Sequence, residues 1–309
     1  MQSPYKRVIV YDLETGGLSH RWNSITEIAM VVIDLQSLDI IEEHSIMFKP
    51  RMDLSDRQSD PLREAKDLFK NLKVKEEESG LNVVLYKDHK ITLKNLDPLV
   101  EDIEMFYNDF LKDHGDIIEY DTILELEASP KYAEIVRIFF DKCYNPQALE
   151  VTHISREMLV EEGIEFEEGF EKIKNVITSH TVGNSKPIIA GHNIGSLPRR
   201  IVRGKEKGPD GFDNPFMEKL FDDNGEDFFD SINEKIIDTL KEARIKWYEL
   251  PGFNLGTCAN EVGLTLKEAH RALPDTIANA KFLVKMLKNL RGEGGGSSTY
   301  KKRKFKLQF

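Results

Sequence analysis

Residues 8–18, Val-Ile-Val-Tyr-Asp-Leu-Glu-Thr-Gly-Gly-Leu, constrain this chain more than any other stretch. The β-branched run Val8–Val10 predicts a buried strand. Asp12 and Glu14 follow two apart, so they share one face of that strand. The strand therefore ends with two carboxylates side by side. Thr15, Gly16 and Gly17 then let the backbone turn sharply with little side chain in the way. Adjacent carboxylates repel unless a cation lies between them, and hard oxygen ligands suit Mg²⁺ or Mn²⁺. An Asp-x-Glu pair by itself is equally a solvated acidic turn. Residues far downstream decide between the two.

Residues 25–34 predict a second strand and 40–48 a third, joined by short turns as an antiparallel meander. Glu27 is an acid inside the apolar second strand, near an edge or the acidic site, with no assigned role. From 51 to about 145 the rhythm breaks into a charged, mixed segment that reads as an inserted α+β subdomain. Residues 82–93 predict a hairpin turning at Lys87–His89. Leu99, Ile103, Phe106, Tyr107 and Phe110 have helical spacing. Ser129–Pro130 predicts an N-cap and first helical position. The insertion is either a platform that selects a partner or substrate, or decoration. Beyond it, Phe166, Phe170, Ile173 and Ile177 form a helical stripe. Residues 187–193 predict a short buried strand ending in His192 and Asn193. A helix from Asp213, a strand-to-helix unit at 236–247, a short helix within 252–262 and a long helix at 270–290 complete a mixed sheet with helices on its faces.

Composition bounds the class. With 40% hydrophobic and 31% charged residues, the chain reads as soluble and globular, and it shows neither a membrane-length apolar run nor a signal peptide. Cys143 and Cys258 are its only cysteines, which predicts no disulfide framework or thiolate zinc site and a reducing, cytoplasmic setting. A net charge of −11 argues against a generally basic nucleic-acid coat, while leaving room for local nucleic-acid binding through metals and a few basic side chains. Residues 291–298 read as a flexible Gly/Ser linker. The tail at 299–309 is basic with interleaved aromatics. It is a peptide for a DNA polymerase or sliding clamp, a nucleic-acid-tracking segment, or a solubilising end.

His270 and Asp275 add a histidine beside a carboxylate near the start of the last helix, the composition of a general base at neutral pH. In order along the chain, YDLETGGL, THISREML with FEEGFEKI, and FNLGTCANEVGLTLKEAHRALPDTIANAKFL resemble the DnaQ-like DEDDh 3′–5′ exonucleases over roughly residues 5–50 and 145–290. The resemblance implies an RNase H-like fold: a mixed five-stranded sheet flanked by helices in an exonuclease domain over 1–290, carrying the large insertion and a flexible C-terminal tail.

The second motif of that family, His-Asn-x-x-Phe-Asp, is interrupted here. Read without a gap, GHNIGSLPRR puts Leu197 at the acid position. Joining GHNI to GFDNPFMEKLF across a basic insertion, 195–210, restores the pattern and assigns the third acid to Asp213. The resemblance then implies that Asp12, Glu14, Asp213 and Asp275 hold two Mg²⁺ or Mn²⁺ ions, about 4 Å apart in such sites. His270 would take the proton from the attacking water. Thr15, Gly16 and Asn193 would position the terminal nucleotide. Apart from the resemblance, the basic insertion with Arg199 and Arg200 reads as a lid or phosphate-contacting loop, or as a solvated surface loop. The implied substrate is a single-stranded or frayed 3′ end, DNA favoured, with proofreading as one setting. The competing readings are an exoribonuclease of the same family and a catalytically inactive scaffold for nucleic acid or a polymerase.

Overall fold

The structure, a computed structural model, describes residues 5–72, 75–76, 82–195, 200–202, 205–207, 210–264 and 270–293. Its centre is a mixed five-stranded sheet. In chain order the strands are β1 (Arg7–Thr15), β2 (Ile25–Asp34), β3 (Ile40–Met47), β4 (Ile188–Gly191) and β5 (Ile236–Asp238). The spatial order is β5-β4-β1-β2-β3. The meander β1–β2–β3 is antiparallel, as expected from its short turns, while β1–β4 and β4–β5 are parallel.

Both faces of the sheet are covered, which explains the near-continuous apolar runs of β1 and β2. On one face Val8, Val10, Val31 and Ile33 pack against Ala280 and Leu283. Those residues belong to the last helix, Ala272–Leu290. On the other face Ile9, Tyr11, Leu13, Ile28 and Met30 meet Phe170, Ile173 and Ile177, together with Phe216 and Leu220. Their helices are Phe166–Ser179 and Asp213–Asp223. Each such fully buried aliphatic side chain contributes about 1.5–3 kcal/mol. The period of two thus divides β1 cleanly, and Asp12 and Glu14 continue the Val8–Val10 face toward the first turn of the last helix.

A separate apolar cluster lies largely between β3 and the Phe166–Ser179 helix, around Leu54, Leu68, Phe69, Leu99, Ile103, Phe106 and Phe139. It is built from α1 (Pro61–Phe69), α2 (Asp97–Phe106) and α3 (Ala133–Cys143) among other short elements. The later helices are then α4 (Phe166–Ser179), α5 (Asp213–Asp223), α6 (Thr239–Lys246) and α7 (Ala272–Leu290). Strands Asn82–Tyr86 and His89–Ile91 pair antiparallel, the hairpin read from the sequence. Ser129–Pro130 does not open a helix. Ser129 closes the preceding one, with its N–H on Leu126 O, and a turn at Tyr132 N to Ser129 O delays α3 to Ala133. Among the described residues no helix is long and apolar enough to cross a membrane.

Candidate active site

The parallel strands β1, β4 and β5 all end on the same side of the sheet, where open α/β sheets hold ligands. Asp12 and Glu14 stand at the end of β1, half-buried. Asp275 reaches them from the first turn of α7, because α7 packs on the Asp12–Glu14 face. Asp12, Glu14 and Asp275 bring one carboxylate oxygen each within 4.8 Å of one another.

Asp213, which lies outside that trio, comes from α5, and its charge still acts on Asp12 and Glu14. The last β1–β4 partners are Val10 and Ala190, so Leu13 has no β4 partner. There Leu13 N–H donates to Asp213 Oδ1 at 3.2 Å. The approach depends on a seam between two stretches far apart in sequence. Phe212 N–H donates to Asn193 O at 2.8 Å and Asn214 N–H to Ile194 O at 3.3 Å. Gly195 and Gly211 meet at the seam with φ of +97° and +88°, and a Cβ on Gly211 would lie 2.1 Å from Gly195 N. The chain thus passes from Ile194 to Phe212 as if the intervening loop were absent. Asp213 is 2% exposed. Leu197 and Arg199 lie outside the described residues, and Arg200 is described only in its backbone, in a hairpin of Arg200–Val202 with Lys205–Lys207.

Crowding of acids sets the electrostatics. Burial pushes the Asp12 carboxyl well above its usual range, and Asp213, Glu14, Asp275 and Glu27 push it further. Glu14 is raised to about 8, first by burial and then by Asp275, Glu27 and Asp213, with Arg271 opposing. Asp213 is raised to about 7, chiefly by burial, against the N–H of Leu13 and its own backbone. Asp275 is raised by burial and eased by His270. Asp275 Oδ1 is buried and has no hydrogen-bond partner among the described residues. An all-oxygen donor set, mutual repulsion and an orphaned carboxylate oxygen fit a hard divalent cation.

His270 lies just before α7, exposed, with φ of +68°. Its N–H donates to Asp275 Oδ2 at 3.0 Å, which ties the histidine backbone to the acid cluster. Asn193 is exposed beside the seam and its N–H donates to Asp238 Oδ1 at 3.1 Å. Thr15 is buried, with its hydroxyl on Gly17 O at 2.7 Å. Gly16, expected to help position a terminal nucleotide, donates its N–H to Ser24 O at 2.8 Å. Its turn is closed on itself because Gly16 packs against Cys143 O, where a Cβ would lie 2.1 Å away.

Asp238 went unassigned in the sequence. It ends β5 and accepts N–H bonds from Asn193, Gly195, Leu240 and Lys241, so it caps α6 and holds one side of the seam. The signal was available: Asp followed by Thr-Leu-Lys-Glu at a strand end is an N-cap signature.

Fold and site together define a class: an RNase H-like α/β protein with a carboxylate cluster at the strand ends. No protein-family model matches the chain. It is 30% identical over 181 residues to the PolC-type DNA polymerase III of Bacillus cereus, covering 57% of this chain and 11% of the relative. It is 25% identical over 217 residues to the PolC-type DNA polymerase III of Staphylococcus aureus, covering 68% of this chain and 13% of that protein. The chain thus spans about an eighth or less of the curated relatives it matches. In structure it is similar to E. coli exonuclease I bound to single-stranded DNA with zinc, at a TM-score of 0.51 and 14% identity, over 93% of this chain and 41% of that one. The same enzyme with a dT13 oligonucleotide gives a TM-score of 0.50 and 15% identity, over 93% and 43%. The structural likeness shows a shared fold, and the sequence matches are to part of the PolC-type polymerases.

Proposed function

We propose that this protein is a metal-dependent 3′–5′ exonuclease that releases nucleoside 5′-monophosphates from single-stranded or frayed 3′ ends, DNA before RNA. The observation that carries the reading is the seam at Ile194–Phe212, which brings Asp213 onto Leu13 N–H, near enough for its charge to act on Asp12 and Glu14. A scaffold would need no third acid there, so the seam weighs against that alternative.

Asp12, Glu14, Asp213 and Asp275 would hold two ions, Mg²⁺ or Mn²⁺. Such ions supply a nucleophilic water and neutralise charge on the attacking and leaving oxygens of an in-line displacement at phosphorus. Asp12, on which all three other acids act, would be one of the residues that hold the ions. His270 takes the proton of the attacking water and, being exposed, returns it to solvent. Asn193 orients the strand end from the lip of the seam. The single-stranded DNA in the exonuclease I complexes supports an unpaired substrate. The polymerase names of the relatives support a proofreading setting, with residues 299–309, outside the described residues, as a contact for a polymerase or clamp. Free, buried Cys143 and Cys258 support a reducing cytoplasm.

The test is degradation of 5′-labelled single-stranded DNA and RNA of equal sequence with Mg²⁺, Mn²⁺ or EDTA, beside Asp213→Ala. The expected result is a ladder from the 3′ end of DNA, abolished by EDTA and at least ~100-fold slower in the variant. Binding without degradation by the intact protein would replace this reading with the scaffold.

A further inference from the structure

We infer that Glu27 and Arg271 form a positioning pair that sets His270 and Asp275 against β1, an inference that rests on the exonuclease reading for its kinetic consequences. Glu27 lies directly opposite Glu14 in the β1–β2 register. An acid that is 3% exposed beside a carboxylate cluster invites assignment as one more metal ligand. Its hydrogen bonds exclude that role. Oε2 accepts from Arg271 Nε at 3.0 Å and from Ala272 N at 3.3 Å. Oε1 accepts from Arg271 Nη2 at 3.3 Å and from Ser45 Oγ at 3.0 Å. Four donors fill the four lone-pair sites of one carboxylate. Asp275 Oδ1, by contrast, has no partner among the described residues.

What Glu27 holds is the entry to α7. The N-cap position of that helix is Arg271, which makes no side-chain cap hydrogen bond. Glu27 supplies the cap from another element: it accepts the Ala272 N–H at the helix start and grips the Arg271 fork on both oxygens. Arg271 is flanked by His270, and Asp275 lies one turn on. His270 carries a positive φ and donates its N–H to Asp275 Oδ2, so these three residues move as one unit. Because Glu27 and Glu14 are cross-strand partners, the same contact fixes that unit relative to the acids of β1. The pair therefore acts through the residues it places, without touching substrate.

The test uses the full chain. Arg271→Lys keeps the positive charge near Glu14 and loses the fork, so it isolates geometry from charge. Glu27→Gln keeps the shape and loses the charge. Both are expected to lower kcat about 10- to 100-fold with KM for a DNA oligonucleotide within about twofold. Mn²⁺ affinity by calorimetry is expected to weaken about 10-fold. The double variant should be no worse than the poorer single one, because the two act as a unit. Ile173→Val, a core change on the opposite face of the sheet, lowers Tm and is expected to leave kcat unchanged. Equal kcat loss in Ile173→Val at matched Tm, or multiplicative losses in the double variant, would overturn the inference. Should the wild type prove inactive on nucleic acid, the exonuclease reading falls. The pair is then judged on Mn²⁺ affinity alone: weakening in Arg271→Lys supports it and unchanged affinity refutes it.

Discussion

Glu14 sets folding stability against the proposed metal binding within a single side chain. Its carboxyl is raised to about 8, mainly by burial and by Asp275 and Glu27. A raised acid favours the folded state below the ordinary carboxylate range and loses that advantage as pH climbs through the folded value. The metal-free protein should therefore weaken steadily from about pH 4.5 to about pH 8. Glu14→Gln should flatten this slope, leaving the two proteins alike near pH 5 and the variant more stable at pH 8, while its nuclease rate falls at least ~100-fold. Thermal denaturation in EDTA across that range checks it; parallel curves would contradict the assignment. Added Mn²⁺ should reverse the trend, because a cation lowers the same carboxyl values. Its Tm gain should grow between pH 6 and pH 8 and its binding should release protons, seen as a heat that depends on the buffer.

Among the elements, the seam explains which parts of the site were legible. Asp12 and Glu14 were readable because period-two alternation assigns a face without any tertiary knowledge. Asp275 was readable from its place in the first turn of a long amphipathic helix. Asp213 required removing 195–210 from the chain, a step licensed only by the motif on either side. Glu27 was visible as an acid in an apolar strand, but its partner Arg271 is distant in sequence and no local pattern pairs them. The Ser129–Pro130 signal failed because a helix end and a helix start use the same residues. The seam itself is testable. Its bonds run Phe212 to Asn193 and Asn214 to Ile194, all four residues flanking the inserted loop. Replacing 196–209 by a short Gly-Ser turn should leave kcat on a short oligonucleotide within about fivefold, whereas Gly211→Ala, at φ +88° and facing Gly195 N, should reduce it about 100-fold. Equal effects of the two changes would show that the loop, not the seam, delivers Asp213.

At the scale of the whole molecule, the apolar cluster around Phe106 and Phe139 is tied to the acid site through the loop after β1. Asn23 Nδ2 donates to Lys142 O at 2.7 Å, and Asn145 N–H donates to Gly16 O at 2.7 Å. Arg51 N–H donates to the Tyr144 hydroxyl at 2.9 Å, drawing the segment after β3 into the same joint. At its centre Lys142 Nζ meets Glu64 Oε1 at 2.7 Å, with side chains 5% and 0% exposed, and stands 3.1 Å from the centroid of the Trp22 ring. Glu64 belongs to α1, Lys142 to α3 and Trp22 to the loop after β1, so one buried ion pair joins the three. Lys142→Met leaves Glu64 buried without its main countercharge, which typically costs about 3–5 kcal/mol. For a chain of this size that corresponds to roughly 2–4 °C of Tm for each kcal/mol. Adding Glu64→Gln should recover most of the loss, because the penalty lies in the unpaired charge rather than in the missing attraction. If the joint also holds the loop against the acids, Lys142→Met should raise KM for DNA several-fold at temperatures where it remains folded, and the double variant should restore it only in part, since neither replacement stacks a cation on Trp22. Denaturant unfolding followed by far-UV signal and by tryptophan fluorescence reads the stability change, and steady-state kinetics on a DNA oligonucleotide reads KM. Coincident transitions with a shifted midpoint would show the joint binding the two cores into one cooperative unit. A shift under about 1 kcal/mol with unchanged KM would mean that the cluster around Phe106 and the five-stranded sheet fold side by side without energetic coupling.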